Sequence, residues 1–255
     1  MNALDLFCGA AGGWSLGLHH AGIETIAACE IDPWRRAVFS RNFPKVRMYD
    51  DITNLTAIQL RRDGITEIDI IVGSPPCQDA SLANPYGKGV EGNRTGLFFE
   101  AIRLVSELRP HWAVFENVPG LRVRGYDRVH DTLEGIGYSV RSFVMGAWHA
   151  GAPHKRNRLW IVANANQKNI EIKSVEFQRG TAISLERGRL GCDAIENKHQ
   201  WNGGHTRYGR VDDGLSERLV TVRGLGRSCI AAYGDAVVPQ IAELFGKAIM
   251  SLANR

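Results

Sequence analysis

The run Ile68-Asp69-Ile70-Ile71-Val72, followed by Gly73-Ser74-Pro75-Pro76-Cys77-Gln78, constrains this chain more than any other stretch. Four aliphatic residues with one polar member, closed by glycine and serine, read as a buried strand of a parallel sheet covered by helices. Two prolines then fix φ and remove two backbone donors, so the chain leaves the strand as a stiff, non-helical turn. Cys77 is thereby presented at a strand's carboxyl end, where open α/β sheets place their ligands. A buried-strand cysteine standing alone is more often a small hydrophobe. The Pro-Pro-Cys-Gln context favours a nucleophile.

Other segments repeat the pattern of an apolar strand ended by a chemically useful group. Asn2 to Phe7 runs into Cys8-Gly9-Ala10-Ala11-Gly12-Gly13 and then a helical pattern from Trp14 to Ala21. A strand, a glycine turn and a helix amino terminus form a cradle for a nucleotide-like ligand, although a plain tight turn would look the same. Thr25 to Cys29 ends in Glu30-Ile31-Asp32-Pro33-Trp34. An acid there, about 20 residues after the glycines, is placed to grip ribose hydroxyls. Capping the helix before Pro33 suits Asp32 better than Glu30. Trp34 could stack on a flat ring or belong to the core. A strand at Val46 to Tyr49 leads to Asp50-Asp51-Ile52, where a carboxylate suits an exocyclic amino group and a solvated turn is the alternative.

The polar, glycine-bearing stretch Asp79 to Thr95 is long for a connection in an α/β domain and reads as a lid or binding loop. Gly96 to Leu108 is an amphipathic helix. Trp112 to Phe115 is a buried strand that delivers Glu116-Asn117-Val118 to the same sheet edge as Cys77, where Glu116 suits a general acid. Arg122, Arg124 and Arg128 form a cationic run that suits either solvent or phosphate. Tyr138 to Trp148 reads as one long strand. Arg156 and Arg158, two apart before the strand Leu159 to Ala163, are expected to aim paired guanidinium groups at one site. From Asn164 to about Arg223 the periodicity fades into a polar, irregular unit. Gly234-Asp235-Ala236-Val237-Val238-Pro239 then opens a helix from Gln240 to Leu252 with one apolar face.

With 255 residues, 44% hydrophobic and 23% charged, the composition is that of a globular protein with a sizeable core. A net charge of +4 permits a polyanionic partner without requiring one. The five cysteines (Cys8, Cys29, Cys77, Cys192, Cys229) are odd in number and lack zinc-knuckle spacing. They suggest free thiols in a reducing compartment and no structural metal. No apolar run approaches the roughly 20 residues needed to span a bilayer.

On these motifs the chain resembles the DNA cytosine-5 methyltransferases that use S-adenosylmethionine. Asp5-Leu6-Phe7-Cys8-Gly9 with Gly12 and Gly13 is similar to that family's cofactor-binding opening, Glu30 to its ribose-binding acid and Asp51 to its adenine-binding acid. Pro75-Pro76-Cys77-Gln78 resembles the nucleophile motif, Glu116-Asn117-Val118 the catalytic glutamate motif, Arg156 and Arg158 the paired arginines, and Gly234 to Pro239 the motif that opens the last helix. Three departures stand out: one extra residue in the glycine loop, His154 in place of the usual glutamine, and Asp235 in place of the usual asparagine.

The resemblance implies a doubly wound, mostly parallel seven-stranded sheet of the class I methyltransferase, Rossmann-like type. The last strands would form an antiparallel edge. Residues 1–163 would form the catalytic and cofactor-binding domain, 164–223 a small target-recognition region, and 224–255 a segment returning to the catalytic domain. The catalytic residues it implies are Cys77, Glu116, Arg156 and Arg158. Phe7, Gly9, Gly12, Gly13, Glu30, Ile31, Trp34, Asp51, Ile52, Ser74, Pro75, Asp235, Ala236 and Val237 would bind S-adenosyl-L-methionine, and Gln78, Ser81, Asn117 and Val118 the substrate. The expected partner is duplex DNA, with a flipped target base, no metal and no membrane. The expected protein is a monomer, bacterial or phage-encoded, cytoplasmic and nucleoid-associated. A tRNA cytosine-5 methyltransferase is the neighbouring alternative; the Cys-Phe-Thr tripeptide of that branch is absent. A catalytically silent nucleic-acid-binding homologue is the other.

Overall fold

Alternation along the central strands sorts their side chains onto two faces, and a different set of helices covers each. The computed structural model describes residues 1–76, 96–152, 154–165 and 235–253, with the backbone of three further strands between 172 and 191. Seven strands form one sheet in the order β3 (Arg47–Tyr49), β2 (Glu24–Cys29), β1 (Asn2–Leu6), β4 (Ile70–Gly73), β5 (Trp112–Asn117), β7 (Arg158–Asn164), β6 (Ser139–Met145). Pairing is parallel from β3 through β5, and β7 runs antiparallel to both β5 and β6. The expected doubly wound sheet with an antiparallel edge is therefore the observed one.

On one face Leu4, Leu6, Ile71, Phe115 and Ile161 pack with Leu60 of α3 (Ala57–Arg62), Phe98 and Ile102 of α4 (Leu97–Leu108), and Leu133 of α5 (Tyr126–Gly135). On the other, Ala3, Ile70, Val72, Trp160 and Val162 pack with Trp14 and Leu18 of α1 (Gly13–His20) and with Ile241, Phe245 and Ile249 of α6 (Pro239–Ala253). The C-terminal helix thus packs beside α1 on this face of the sheet. Each buried aliphatic side chain contributes about 1.5–3 kcal/mol of transfer free energy, so these two layers hold the sheet rigid beneath its loops.

Local signals explain the helix starts. Asp32 caps α2 (Pro33–Asn42), accepting the Arg35 N–H at 2.9 Å with Pro33 in the first turn. Helix α3 was not anticipated, although Thr56 accepts the Gln59 N–H at 3.2 Å in a Thr-x-x-Gln pattern that announces a helix start. Only six residues long, α3 is held from outside. Glu107 accepts the Ala57 N–H, and Arg103 donates to the Ile52 and Leu55 carbonyls.

Two expectations need correction. The strand expected to reach Trp148 stops at Met145, because the Gly146 N–H turns to His149 Nδ1 at 3.0 Å and Ala147–Ala150 forms a 3-10 turn. The region expected to be irregular contains a three-stranded antiparallel sheet in the order β10 (Arg189–Gly191), β9 (Ile183–Glu186), β8 (Ile172–Val175). Those strands are too short to leave a periodicity. The expected lid, Asp79 to Thr95, lies outside the described residues, as do most positions between 166 and 234.

Candidate active site

Strand order reverses between β1 and β4, so the loops after these neighbours leave in opposite directions and open a crevice at the carboxyl edge of the sheet. A cavity of about 360 Å³ lies there. It collects Phe7 and Gly9 after β1, Glu30 and Ile31 after β2, Asp51 and Ile52 after β3, and Ser74 and Pro75 after β4. Glu116, Asn117 and Val118 join from the end of β5, Arg158 from the start of β7, and Asp235, Ala236 and Val237 from the segment before α6. Because β7 is antiparallel, its first residue reaches the edge to which the parallel strands bring their last ones.

The first loop is shaped by left-handed backbone. Phe7 has φ 57°, uncommon for a bulky residue, Gly9 has φ 64°, and Gly12 has φ 57° at the cap of α1. Buried Glu30 ties this turn to β2: its Oε2 accepts the Gly9 N–H at 3.0 Å and its Oε1 the Asp32 N–H at 2.9 Å. Asp51 is fixed by Thr53, whose N–H and hydroxyl donate to Oδ1 at 2.9 and 2.8 Å. Gly13 lies so close to the C-terminal segment that a Cβ there would stand 2.2 Å from the Val237 carbonyl oxygen.

Two expected cofactor contacts fall outside the cavity lining. Gly12 packs outward, where a Cβ would meet the rings of Phe39 and Phe43, so it serves the turn and the α2 contact. Trp34 packs against Ala10, Ala11 and Ala236, which makes it a wall behind the cavity. Ala10 and Ala11 belong to the loop that carries the extra residue. Arg35, Trp14 and Leu97 line the cavity without having been foreseen. Arg35 was legible as the residue one turn into a helix that starts at the acidic loop, and Trp14 as the residue directly after the paired glycines.

Glu116 stands at the end of β5, on the wall of the cavity. Glu116 is buried, and Arg158 Nε lies 2.7 Å from its Oε1. Burial pushes the Glu116 carboxyl above the ordinary carboxylate value, against the pull of Arg158, Arg156 and the Ser74 hydroxyl. Such a carboxyl can keep a proton closer to neutrality than a free glutamic acid and can donate it in a dry site. Asn117 donates its amide to the Pro75 carbonyl at 3.1 Å and accepts the Val118 N–H, so it anchors the proline turn that leads into Cys77.

Paired guanidinium groups were expected from Arg156 and Arg158; in the structure both pull on the Glu116 carboxyl, but they make different hydrogen bonds. Strand β7 begins only at Arg158, and Arg156 has φ 32°, so the two do not share strand parity. Arg156 donates to the Ala236 carbonyl at 2.6 Å and fastens the C-terminal segment, while Arg158 Nε lies 2.7 Å from Glu116 Oε1. Cys77, Gln78 and Ser81 lie outside the described residues. Among the described residues the cysteines lining the cavity are Cys8 and Cys29, and burial pushes both thiols up, Cys29 to about 12, which disfavours the thiolate.

The family model of the C-5 cytosine-specific DNA methylases matches residues 1–213. The chain belongs to this family. It is similar to the type II methyltransferase M.HgiDI of Herpetosiphon aurantiacus, 29% identical over 237 residues, covering 91% of this chain and 74% of that one. It is also similar to M.XorII of Xanthomonas oryzae, 37% identical over 169 residues, covering 62% of this chain; the match spans only 39% of that relative's length. The Dnmt2 methyltransferase of S. pombe shares the fold at a TM-score of 0.65, with 16% identity and 99% of each chain covered.

Within this methylase family, Asp235 departs from the usual asparagine, and the structure supplies its counter-charge. Arg35 Nη2 lies 2.7 Å from Asp235 Oδ2, linking the first turn of α2 to the segment before α6 across the cavity. No helix among the described residues is long and apolar enough to cross a membrane.

Proposed function

We propose that this methylase transfers a methyl group from S-adenosylmethionine to C5 of a cytosine flipped out of duplex DNA, through a covalent adduct between Cys77 and C6 of the base. The observation that carries the reading is the ion pair of buried Glu116 with half-buried Arg158 on the wall of the cavity formed by the glycine turn, Glu30 and Asp51.

The cavity suits the cofactor. A Cβ on Gly9 would meet nothing within 4 Å, so there is room against the turn backbone. Ile31 lines the cavity while 69% exposed, an apolar side chain left for a ligand to cover. Glu30 would accept from ribose hydroxyls and Asp51 from an adenine amino group. When bound, S-adenosylmethionine supplies an electrophilic methyl on its sulfonium.

Cytosine C5 is a poor nucleophile until electrons are pushed into the ring. The Cys77 thiolate does this by adding at C6, and sulfur later departs readily. Glu116 holds the N3/N4 edge and donates its proton to N3 as the adduct forms. Arg158 keeps that carboxyl aimed and offsets charge developing on the ring. After methylation a base takes the C5 proton, the C6–S bond breaks, and the cysteine is regenerated. A duplex hides C5 from such a site, so the base must be extruded at a cost of a few kcal/mol.

The test is expression in cells that lack cytosine methylation, followed by bisulfite sequencing of their DNA. Methylated cytosines in a recurring context, absent with Cys77→Ala, support the proposal. Blank DNA from folded protein refutes it, and methylated RNA from the same cells would move the activity to the tRNA-type alternative.

A further inference from the structure

The carboxyl edge of the sheet is divided by charge. After β2 and β3 it bears Glu30, Asp32, Asp50 and Asp51, and Asp235 reaches the same cavity from the segment before α6. The cations on that side are engaged: Arg35 by Asp235, and Arg36 by the Glu30 and Ile31 carbonyls. The other half is basic. After Glu116 the chain bears Arg122 and Arg124 before its next acid, Asp127; from Gly135 to Asn164 it bears Arg141, Lys155, Arg156 and Arg158 and no acid. Two turns display these cations. The first, the 3-10 turn Pro119–Val123 after β5, packs against β7 and leaves Arg122 and Val123 exposed, Val123 at 77%. The second, between β6 and β7, opens at the same edge, because Asn117 pairs with Leu159 and Met145 with Arg158. Its arms close over Gly146, where a Cβ would collide with the Lys155 carbonyl, the Asn157 side-chain oxygen and the Trp148 ring. Trp148 is 42% exposed and yet held. Its ring lies on His149 at a centroid distance of 3.7 Å, and its indole nitrogen is 3.4 Å from Asn157 Oδ1. Lys155 is exposed on the same turn.

We infer that duplex DNA lies across the β5–β7–β6 half of this edge, with Arg122 and Lys155 on its phosphates and Trp148 against a sugar of the backbone. A rim acidic on one side and basic on the other fixes which way a polyanion can lie. Repulsion keeps phosphates off the side that holds Glu30 and Asp51, while the basic half brings the backbone beside Glu116, where an extruded base is needed. A fixed indole face beside exposed cations suits a sugar–phosphate chain, since the ring covers the apolar sugar and the cations take the phosphates. Contacts of this kind carry no sequence information, so they act on any duplex. That the polyanion is DNA rests on the function proposed above; that a polyanion meets these residues does not.

The test is fluorescence anisotropy of the full chain with a labelled DNA duplex of arbitrary sequence, titrated at several salt concentrations without cofactor. Each phosphate contact contributes about −0.9 to the slope of log K against log salt. Arg122→Gln and Lys155→Gln should each make the slope shallower by about 0.9, and the double variant by about 1.8. At about 0.1 M salt each substitution then weakens binding on the order of eightfold. Trp148→Ala should weaken binding severalfold at every salt concentration and leave the slope unchanged, because its contact displaces no counterion. The control is Arg61→Gln with Arg62→Gln, exposed at the end of α3, which leads away from this edge toward the start of β4. It removes the same charge as the double variant and should keep the wild-type slope. A slope unmoved by the double variant, or moved as much by the control, overturns the surface. Tighter binding of a labelled RNA hairpin through Arg122 and Lys155 overturns the assignment to DNA. Binding needs no turnover, so the two readings fail separately. Duplex held with these slopes by a chain that transfers no methyl group refutes the activity and keeps the surface; methylation by a chain whose slope ignores Arg122 and Lys155 does the reverse.

Discussion

Replacing Asp5 by asparagine should remove a pH dependence from the stability of the fold. Asp5 shares the face of β1 with Ala3, beneath α1, and has no solvent exposure. Its Oδ2 accepts the Ser15 hydroxyl at 2.7 Å, while its Oδ1 has no partner. Burial, aided by the negative charge of Glu30, raises the carboxyl from its ordinary 3.8 to about 7, against the hydrogen bonds from Ser15. Between those values the folded protein keeps a proton that the unfolded chain releases. Stability from this group is therefore complete below about pH 4 and is lost as pH rises toward 7. At 1.36 kcal/mol per pH unit, an interval from 3.8 to about 7 amounts to about 4 kcal/mol. That is a large share of the 5–15 kcal/mol stability typical of a domain. Asparagine keeps an acceptor for Ser15 and cannot ionise, so its cost or benefit is a constant offset. The assay is urea unfolding of wild type and Asp5→Asn from pH 5 to 8. The difference in unfolding free energy should change by about 1.4 kcal/mol per pH unit up to pH 7, then level off. Parallel curves would refute the argument that Asp5 is buried as an acid.

Three further substitutions probe the site. Glu116→Gln should lower methyl transfer by 10²–10⁴-fold, the usual contribution of a general acid, with cofactor affinity nearly unchanged in a calorimetric titration; equal losses would count against its role. Gly13→Ala puts a methyl group against the Val237 carbonyl, so it should cost about 1–3 kcal/mol in thermal or urea unfolding and weaken cofactor binding as the C-terminal segment is displaced. Arg35→Met breaks a pair whose side chains are 23% and 59% exposed, so after screening it is worth at most about 1 kcal/mol. Cofactor affinity should drop by no more than about fivefold at low salt and converge with wild type near 1 M; a difference that survives high salt would show that Arg35 acts otherwise than through Asp235.

The layering of the fold could be read from the chain because burial writes itself into local pattern. Ile70-Ile71-Val72 and Trp112 to Phe115 are apolar throughout, as strands covered on both faces must be, and both became central strands. The acids Glu30, Asp51 and Glu116 stand directly after or at the end of strands, so a parallel sheet carries them to one edge, and all three line one cavity. Short or externally held elements left no such trace. Helix α3 depends on Arg103 and Glu107 of a distant helix, and strands β8 to β10 are three or four residues each.

Residue types and strand order alone therefore determined which groups reach the carboxyl edge: the glycine turn, the strand-end acids, the proline turn before Cys77, and Arg158. Tertiary structure decided what those groups touch. Arg156 and Arg158 are alike in sequence and two positions apart, yet a left-handed residue ahead of β7 sends one to Ala236 and the other to Glu116. Trp14, Ser74 and Glu116 come from three separate segments and line one cavity only because β4 lies beside both β1 and β5, with α1 over their shared face. Asp5 reads in sequence as one more polar residue of an opening strand, and only the packing of α1 removes it from water. Periodicity records which side of an element is buried; hydrogen-bond partners and carboxyl ionisation depend on distances between segments remote in the chain, and no local pattern encodes those.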